Sequence, residues 1–338
     1  MRVARLHGAG DIRIGDEPVP AAGPGETLVQ VTAVGICGSD LHWWHEGELG
    51  GPALAQPLVL GHEAAGVVAE GPRRGQRVAI DPAIPCGRCR PCRDGYRNLC
   101  TRIRFAGHGP TDTAPSTDGA LREFMNWPSH LLHPLPDRLC AADGAMLEPL
   151  GVAVHSFGLG HLPLGGSAAV VGCGPLGLLI IQLLRAAQAG FVLAVEPLAH
   201  RQEAAAACGA DEVVSPADLD PPLPGVDVAF DAAGTEDAVG SALECVRPGG
   251  RVVLAGIPGD DTTTFRASLA RRKGLTIAFV RRMNETYPQA ISLATRGAVD
   301  LASLVTKQVG LADTAAAFDA AQQRTGLKVI IQPEGQPA

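Results

Sequence analysis

Residues 168–177 read AAVVGCGPLG, an apolar run punctuated by Gly172, Gly174 and Gly177 in the spacing G-x-G-x-x-G. The residues before the punctuation, Ala168–Gly172, have the length and character of a short buried strand. The residues after it, Leu176–Ala187, place apolar side chains at helical spacing. A strand that feeds a helix through such a turn brings backbone N–H groups and a helix N-terminus close to an anion, as the pyrophosphate of a dinucleotide requires. A bare match also occurs in ordinary turns, so the next strand matters. Phe191–Val195 is followed by Glu196, nineteen residues after Gly177. A carboxylate there accepts hydrogen bonds from both ribose hydroxyls and repels a 2′-phosphate, which favours NAD, while Arg201 leaves NADP open. The expected cofactor-binding residues are Gly172, Gly174, Pro175, Leu176, Gly177, Glu196, Arg201 and Gly256.

The pattern extends outward from this turn. His200–Cys208 is an Ala-rich helix. VDVAFDAAG and GRVVLAGI repeat the strand-then-turn theme, TIAFV (Thr276–Val280) is a further strand, and Pro288–Thr295 is a helix. Alternating strands and helices of these lengths predict a doubly wound parallel sheet. The first third is different. TLVQVTAVGI (Thr27–Ile36) and HEAAGVVAE (His62–Glu70) read as strands between Gly- and Pro-rich breaks, and the closing LKVIIQP reads as a strand returning to that first domain. The expectation is therefore α/β with two domains, which 338 residues also suggest.

Composition excludes several classes. A net charge of −7 argues against a chain built as a whole to bind polyanions. The most apolar stretch, Ala168–Leu184, is interrupted by three glycines and Pro175, too often for a membrane span. The N-terminal residues show no signal-peptide pattern. A cytoplasmic, reducing location is expected, so the nine cysteines read as metal ligands or core residues, not disulfides.

Four of them, Cys86, Cys89, Cys92 and Cys100, follow C-x2-C-x2-C-x7-C within a segment that reads as an aperiodic loop. Four thiolates at such spacing suit a closed tetrahedral zinc site. An iron–sulfur cluster is the competing reading. The lobe is basic, with Arg88, Arg90, Arg93, Arg97, Arg102 and Arg104 against Asp94. A nucleic-acid surface would use such a patch, but little aromatic interleaving accompanies it and the chain is acidic. Cys140, Cys173, Cys208 and Cys245 are expected to be packing residues.

A second constellation is dispersed. ICGSDLH supplies Cys37, Ser39, Asp40 and His42, GHEAAG supplies His62 and Glu63, and LEPLG supplies Glu148. One thiolate, one imidazole and carboxylates make a ligand set with room for a further oxygen, the form of a catalytic zinc site. Asp40 is expected to orient His62 through its second ring nitrogen. Ser39 is expected to take a proton from a zinc-bound alcohol and pass it toward His42.

GICGSDLH, GHEAAGVV, the four-cysteine lobe, LEPLGVAVH, VVGCGPLG and the ending LVTKQVGLADTAAAFD…GLKVII occur in the order found in the zinc-dependent medium-chain alcohol dehydrogenases, and the chain resembles their polyol branch from about residue 3 to about 333. The resemblance implies a GroES-like β-rich catalytic domain (1–151, with the structural zinc lobe at 86–100), a Rossmann domain (152–280) and a return segment (281–338). It implies two zinc ions per chain, a nicotinamide cofactor and oxidation of a secondary alcohol of a polyol to a ketone. Aldonates and amino alcohols are the alternative substrates. Carried over by position, Cys37, His62, Glu63 and Glu148 surround the catalytic zinc, Ser39, His42 and Glu148 serve catalysis, and Trp43, Phe105 and Arg281 contact substrate. A homo-oligomer acting on a small molecule, with neither nucleic acid nor membrane as partner, is the expected state. Trp43 and Arg282 both stand where sorbitol dehydrogenases carry Tyr, and the loop Gly109–Gly119 is longer than expected.

Overall fold

The structure is a computed structural model and describes residues 1–48, 53–54, 56–111, 113–220, 225–259 and 261–333. The chain forms two compact units, Met1–Glu148 with Ala290–Thr295 and Leu301–Ala338, and Pro149–Gln289 with Arg296–Asp300. Among the described residues no helix is long and apolar enough to cross a membrane.

The first unit is built on a seven-stranded sheet. Its order is Val305–Gly310, Lys328–Gln332, Glu26–Gly35, Glu63–Val68, Arg77–Ile80 and Leu132–Pro134, with Phe124–Pro128 also pairing with Glu26–Gly35. The closing strand therefore joins the N-terminal sheet, as its apolar run predicted. Val29, Val31, Val34, Val78, Ile80, Met125 and Ile331 pack one core there with Trp43 and Trp127. Gly35 pairs with Glu63 on one side and with Ile330 on the other. That register places chemistry-bearing residues from the two ends of the unit beside one another.

The second unit holds six parallel strands in the order Glu212–Val214, Phe191–Val195, Ser167–Val171, Val226–Asp231, Val246–Leu254 and Thr276–Phe279. Counted along the chain this is 3-2-1-4-5-6, the doubly wound order whose direction of growth reverses beside the first strand. Strands covered on both faces must be apolar throughout, and Ala168–Val171 and Val192–Val195 are entirely buried. The helix Pro175–Ala186 is buried from Gly177 to Leu184, which accounts for the most apolar stretch of the sequence.

Some local expectations change. The segment Cys86–Cys100 is not featureless: it contains a helical turn, Arg90–Arg93, and a 3-10 turn, Arg97–Leu99. The loop after Phe105 is pinned by bridges between His108 and Thr117 and between Thr111 and Ala114. Of the four cysteines expected to pack, Cys173 and Cys245 are buried, Cys208 is half-buried and Cys140 is exposed. Cys140 precedes the helix Ala141–Gly160, where its backbone N–H donates to Asp143, so its position is set by capping instead of by core packing.

Asp227 fastens the first strand of the parallel sheet to the fourth. It accepts hydrogen bonds from Ser167 N (2.8 Å), Ser167 Oγ (3.0 Å) and Arg247 Nε (2.8 Å). The Ser167 N–H and the Arg247 guanidinium hold its carboxyl below the ordinary value of 3.8. A depressed folded-state pKa stabilises the protein above the unfolded value and is lost as pH falls through the folded one. Asp227→Ala is expected to cost about 1–3 kcal/mol at neutral pH. The deficit should shrink below about pH 4, measured by denaturant unfolding across pH. A deficit independent of pH would show that packing, not charge, is what Asp227 contributes.

Candidate metal centres and cofactor turn

Cys37 is the N-cap of the helix Gly38–Glu46, and Asp40 at the third helical position accepts the Cys37 N–H at 3.0 Å. The other oxygen of Asp40 accepts Gly61 N–H at 3.3 Å and lies 3.4 Å from His62 Nδ1. A single buried carboxylate thus fixes the cap, the preceding glycine and the imidazole. His62 Nε2 is left facing Ser39 Oγ, 3.5 Å away. Burial works against charge on His62, yet Asp40 and Cys37 hold its pKa well above the ordinary value. This marks a pocket that favours positive charge.

Glu63 completes the set. Ligand atoms of Cys37, His62 and Glu63 all lie within 4.8 Å of one another. Both carboxylate oxygens of Glu63 accept hydrogen bonds from Lys328 Nζ, at 2.8 and 2.6 Å, and the third Nζ proton goes to Ile36 O at 3.0 Å. Lys328 and Glu63 are almost wholly inaccessible to solvent, with 3% and 1% side-chain exposure. Gly35 makes room for this pair: a Cβ there would lie 2.1 Å from Glu63 Oε2. Glu148, buried on the helix Ala141–Gly160, stays outside the 4.8 Å set but shares its field. Burial, with repulsion from Glu63 added and His62 opposing, pushes its carboxyl up to about 7.

The donor set suits a divalent cation. One sulfur, one imidazole nitrogen and one carboxylate is a three-ligand arrangement open to a fourth oxygen, as at catalytic zinc. The Cys86, Cys89, Cys92 and Cys100 cluster is of the other kind, with four sulfurs within 4.8 Å and Cys89 Sγ 3.4 Å from Cys92 Sγ. Backbone N–H groups of Cys86 and Arg102 point at Cys100 Sγ. Backbone N–H groups of Cys92 and Thr101 lower the Cys89 thiol to about 6, whereas burial and crowding by Cys89 and Cys100 push Cys92 up to about 12. Four sulfurs this close suit a cation among them, and a closed tetrahedral zinc would fit the set.

Around the three-ligand set runs a chain of rings. His62 and Phe105 centroids are 5.3 Å apart, Phe105 and His108 6.4 Å, and His108 and Trp43 5.7 Å. Trp43 Nε1 is a buried donor with no hydrogen-bond partner. Gly109 lets the ring in, since a Cβ there would meet Trp43 at 2.3 Å. Trp43 and Phe105 were expected near the metal set, whereas His108 and Lys328 were not singled out. Lys328 did carry a signal, a lysine inside the apolar run LKVII. His42 turns Nδ1 to Glu46, 3.2 Å away on the next helical turn, and Ser39 faces His62. Arg281, the remaining expected substrate contact, is exposed and belongs to the second unit.

The cofactor turn lies at the carboxyl end of the first parallel strand. Gly172 has φ +89°, Gly174 is the N-cap of the following helix and Pro175 its first residue. A Cβ on Gly177 would lie 1.9 Å from Gly172 O, so helix and turn touch backbone to backbone. Gly256 does the same against Gly234, at 2.0 Å. Glu196 accepts Cys173 N–H at 2.7 Å and Leu198 N–H at 3.0 Å, clamping the turn to the end of the second strand. Arg201 Nη1 is 3.6 Å from the Cβ position of Gly174. Asp231, which sequence reasoning passed over, shapes the adjoining turn by accepting Ala233 and Gly234 N–H groups at 3.0 Å each.

Residues 23–137 match the alcohol dehydrogenase GroES-like domain, and residues 175–296 match the zinc-binding dehydrogenase family. The sorbitol dehydrogenase of Bacillus subtilis (strain 168) is 33% identical over 349 residues, spanning 98% of this chain and 97% of that one. The chain belongs to the zinc-binding alcohol dehydrogenases. Among solved structures, L-idonate 5-dehydrogenase of Escherichia coli superposes with a TM-score of 0.90 at 27% identity, covering 98% of this chain and 97% of that one. A zinc-binding dehydrogenase of Sinorhizobium meliloti 1021 with bound NADP gives 0.88 at 28% identity, covering 98% and 99%. This dehydrogenase is accordingly a zinc- and nicotinamide-dependent oxidoreductase with a GroES-like domain and a Rossmann-type parallel sheet.

Lys328→Met leaves the Glu63 charge buried without its cation. It is expected to lower the unfolding free energy of the metal-free protein by about 3–5 kcal/mol. Adding Glu63→Gln should recover much of that loss. If the double variant shows simple additivity in thermal or denaturant unfolding, the two residues do not act as a pair.

Proposed function

We propose that this dehydrogenase oxidises a secondary hydroxyl of a polyol or sugar-derived substrate to a ketone, with NAD as preferred hydride acceptor. The observation that carries this is the three-ligand set Cys37–His62–Glu63, with Glu148 buried beside it. A catalytic rather than structural zinc site has this form. The names of two similar proteins, a sorbitol and an idonate dehydrogenase, support the substrate class.

Zinc held by Cys37, His62 and Glu63 supplies Lewis acidity that lowers the pKa of a substrate hydroxyl, and the nicotinamide supplies the hydride acceptor. The rest falls to the chain. Asp40 fixes the tautomer and orientation of His62. Lys328 holds both oxygens of Glu63, which steadies that carboxylate beside the other ligands. Ser39 receives the departing proton and hands it toward His42, whose Nδ1 is held by Glu46. Phe105, His108 and Trp43 exclude water from one side, and Trp43 Nε1 offers an unused donor to a substrate hydroxyl. Glu196 places negative charge at the end of the second parallel strand, where it disfavours a 2′-phosphate. Cys86, Cys89, Cys92 and Cys100 hold the structural zinc.

In this reading the first unit does the alcohol chemistry and the second binds the cofactor. The free thiols of the lobe fit a reducing, cytoplasmic compartment.

The test is a panel of polyols, aldonates and amino alcohols, scored by reduction of NAD and of NADP. A polyol is expected to be the best substrate, with NAD preferred. Cys37→Ala should lower kcat by about a thousandfold or more, since several kcal/mol of charge stabilisation go with the metal, while nucleotide binding is kept. Retained turnover in Cys37→Ala, or oxidation of amino alcohols in preference to polyols, would overturn the assignment.

A further inference from the structure

Asp231 closes the strand Val226–Asp231 and is 1% exposed. Its Oδ1 accepts the Ala233 and Gly234 N–H groups, and its own carbonyl accepts the N–H groups of Ala255 at 2.8 Å and Gly256 at 3.0 Å. One residue therefore ties two turns together. The turns also touch: a Cβ on Gly234 would lie 2.5 Å from Ile257 O. On the other side a Cβ on Gly172 would lie 2.7 Å from the Ala233 Cβ. The turn after the fourth parallel strand in chain order, Val226–Asp231, is thus wedged between the glycine turn after Ser167–Val171 and the turn after Val246–Leu254.

Asp231 has donors but no counterion. Asp227 and Asp211 of the same unit pair with Arg247 and Arg185. Asp231 forms no ion pair among the described residues. Burial raises its carboxyl above the ordinary value of 3.8, and the N–H groups of Gly234 and Ala233 oppose that rise. A buried carboxylate held by neutral donors alone is costly unless positive charge comes within its reach.

A dinucleotide lies across the carboxyl ends of a doubly wound sheet, with one mononucleotide to each half. The glycine turn and Glu196 belong to the half formed by the first three strands in chain order. The other half, which contains Asp231, is left for the nicotinamide mononucleotide. The nicotinamide ring is cationic when oxidised and neutral when reduced. We infer that Asp231 is a positioning residue whose negative charge makes this half of the sheet favour the oxidised nicotinamide over the reduced one. The two turns it ties together shape the site, and its charge weights the redox state that the site holds. The empty enzyme is thereby biased toward the cofactor form that accepts a hydride. The inference rests on the use of a nicotinamide cofactor and is independent of which alcohol is oxidised.

The experiment is titration calorimetry of the zinc-loaded protein, without alcohol, against NAD, NADH and ADP-ribose, which lacks the ring. Asp231→Asn keeps an oxygen for the two N–H groups and removes the charge. It is expected to weaken NAD relative to NADH by about tenfold, the order of one buried unit charge acting across a protein interior. ADP-ribose should follow NADH. Asp231→Ser, a second neutral variant that keeps an acceptor, should move the ratio in the same direction. Asp231→Glu retains the charge and should keep the ratio of the unaltered protein, even where it weakens both nucleotides. Circular dichroism and thermal unfolding are read for each variant, and the ratio is taken from those that fold. A ratio that stays fixed in the neutral variants, or an equal loss of NAD, NADH and ADP-ribose, overturns the proposal. So does a ratio that moves as far in Asp231→Glu as in the neutral variants.

Discussion

Lys328 and Glu63 meet out of reach of water, and the metal-binding pocket of the first unit depends on that contact. An isolated carboxylate in such a place would take up a proton; an isolated ammonium would lose one. Together they satisfy one another, because all three Nζ protons have acceptors in Glu63 and Ile36. Around the pair stand the buried Asp40 and Glu148 and the half-buried Cys37 thiol. One ammonium does not balance so many acidic groups. Burial, with repulsion from Glu63 added, pushes the Glu148 carboxyl up to about 7, while Asp40 and Cys37 raise the pKa of His62 against its own burial. A divalent ion held by Cys37, His62 and Glu63 would offset that acidic charge, an electrostatic reason for zinc to suit the pocket.

The contact also organises the fold. Residues 63 and 328 belong to strands that flank Glu26–Gly35 on either side. The carboxylate and the ammonium reach each other across that strand because Gly35 carries no side chain to separate them. A site built this way cannot form until the last strand has returned to the first sheet, a closure over most of the chain length that is slow compared with local structure. The parallel sheet has the opposite character. Its cofactor turn, the following helix and Glu196 come from one short stretch, and Gly177 is required by a contact within that stretch, whereas Gly172 makes room for Ala233 after the neighbouring strand.

This difference decides what could be read from sequence. The G-x-G-x-x-G turn was legible because strand, turn, helix and acidic residue all sit within thirty residues and each is constrained by its neighbours. The role of Asp40 was legible for the same reason, since a cap at Cys37 and a carboxylate three residues on form one local motif. Lys328 was not, because its partner lies 265 residues away and a lysine in a strand reads locally as an edge or surface residue. His108 was missed because its loop has no period, and what holds it is a bridge to Thr117 and an edge contact with Trp43. Cys140 was misjudged because a cysteine before a helix reads as a small apolar residue until its backbone is seen to be capped by Asp143.

The two metal clusters differ in what holds them together. Four sulfurs of the lobe come from one contiguous segment with little core of its own; backbone N–H groups lower the Cys89 thiol to about 6, and burial with crowding by its neighbours pushes Cys92 up to about 12. Such a cluster would be organised by an ion, whose binding would then contribute folding free energy. The Cys37–His62–Glu63 set is instead braced by groups that are not ligands: Asp40 behind His62, Lys328 behind Glu63 and a helix cap behind Cys37. Its geometry is carried by the fold, so an ion there would be served by three ligands with a fourth position left open. Coordination number and preorganisation are therefore one property here. The cluster that must hold itself together is closed, and the cluster held by its surroundings is free to be open.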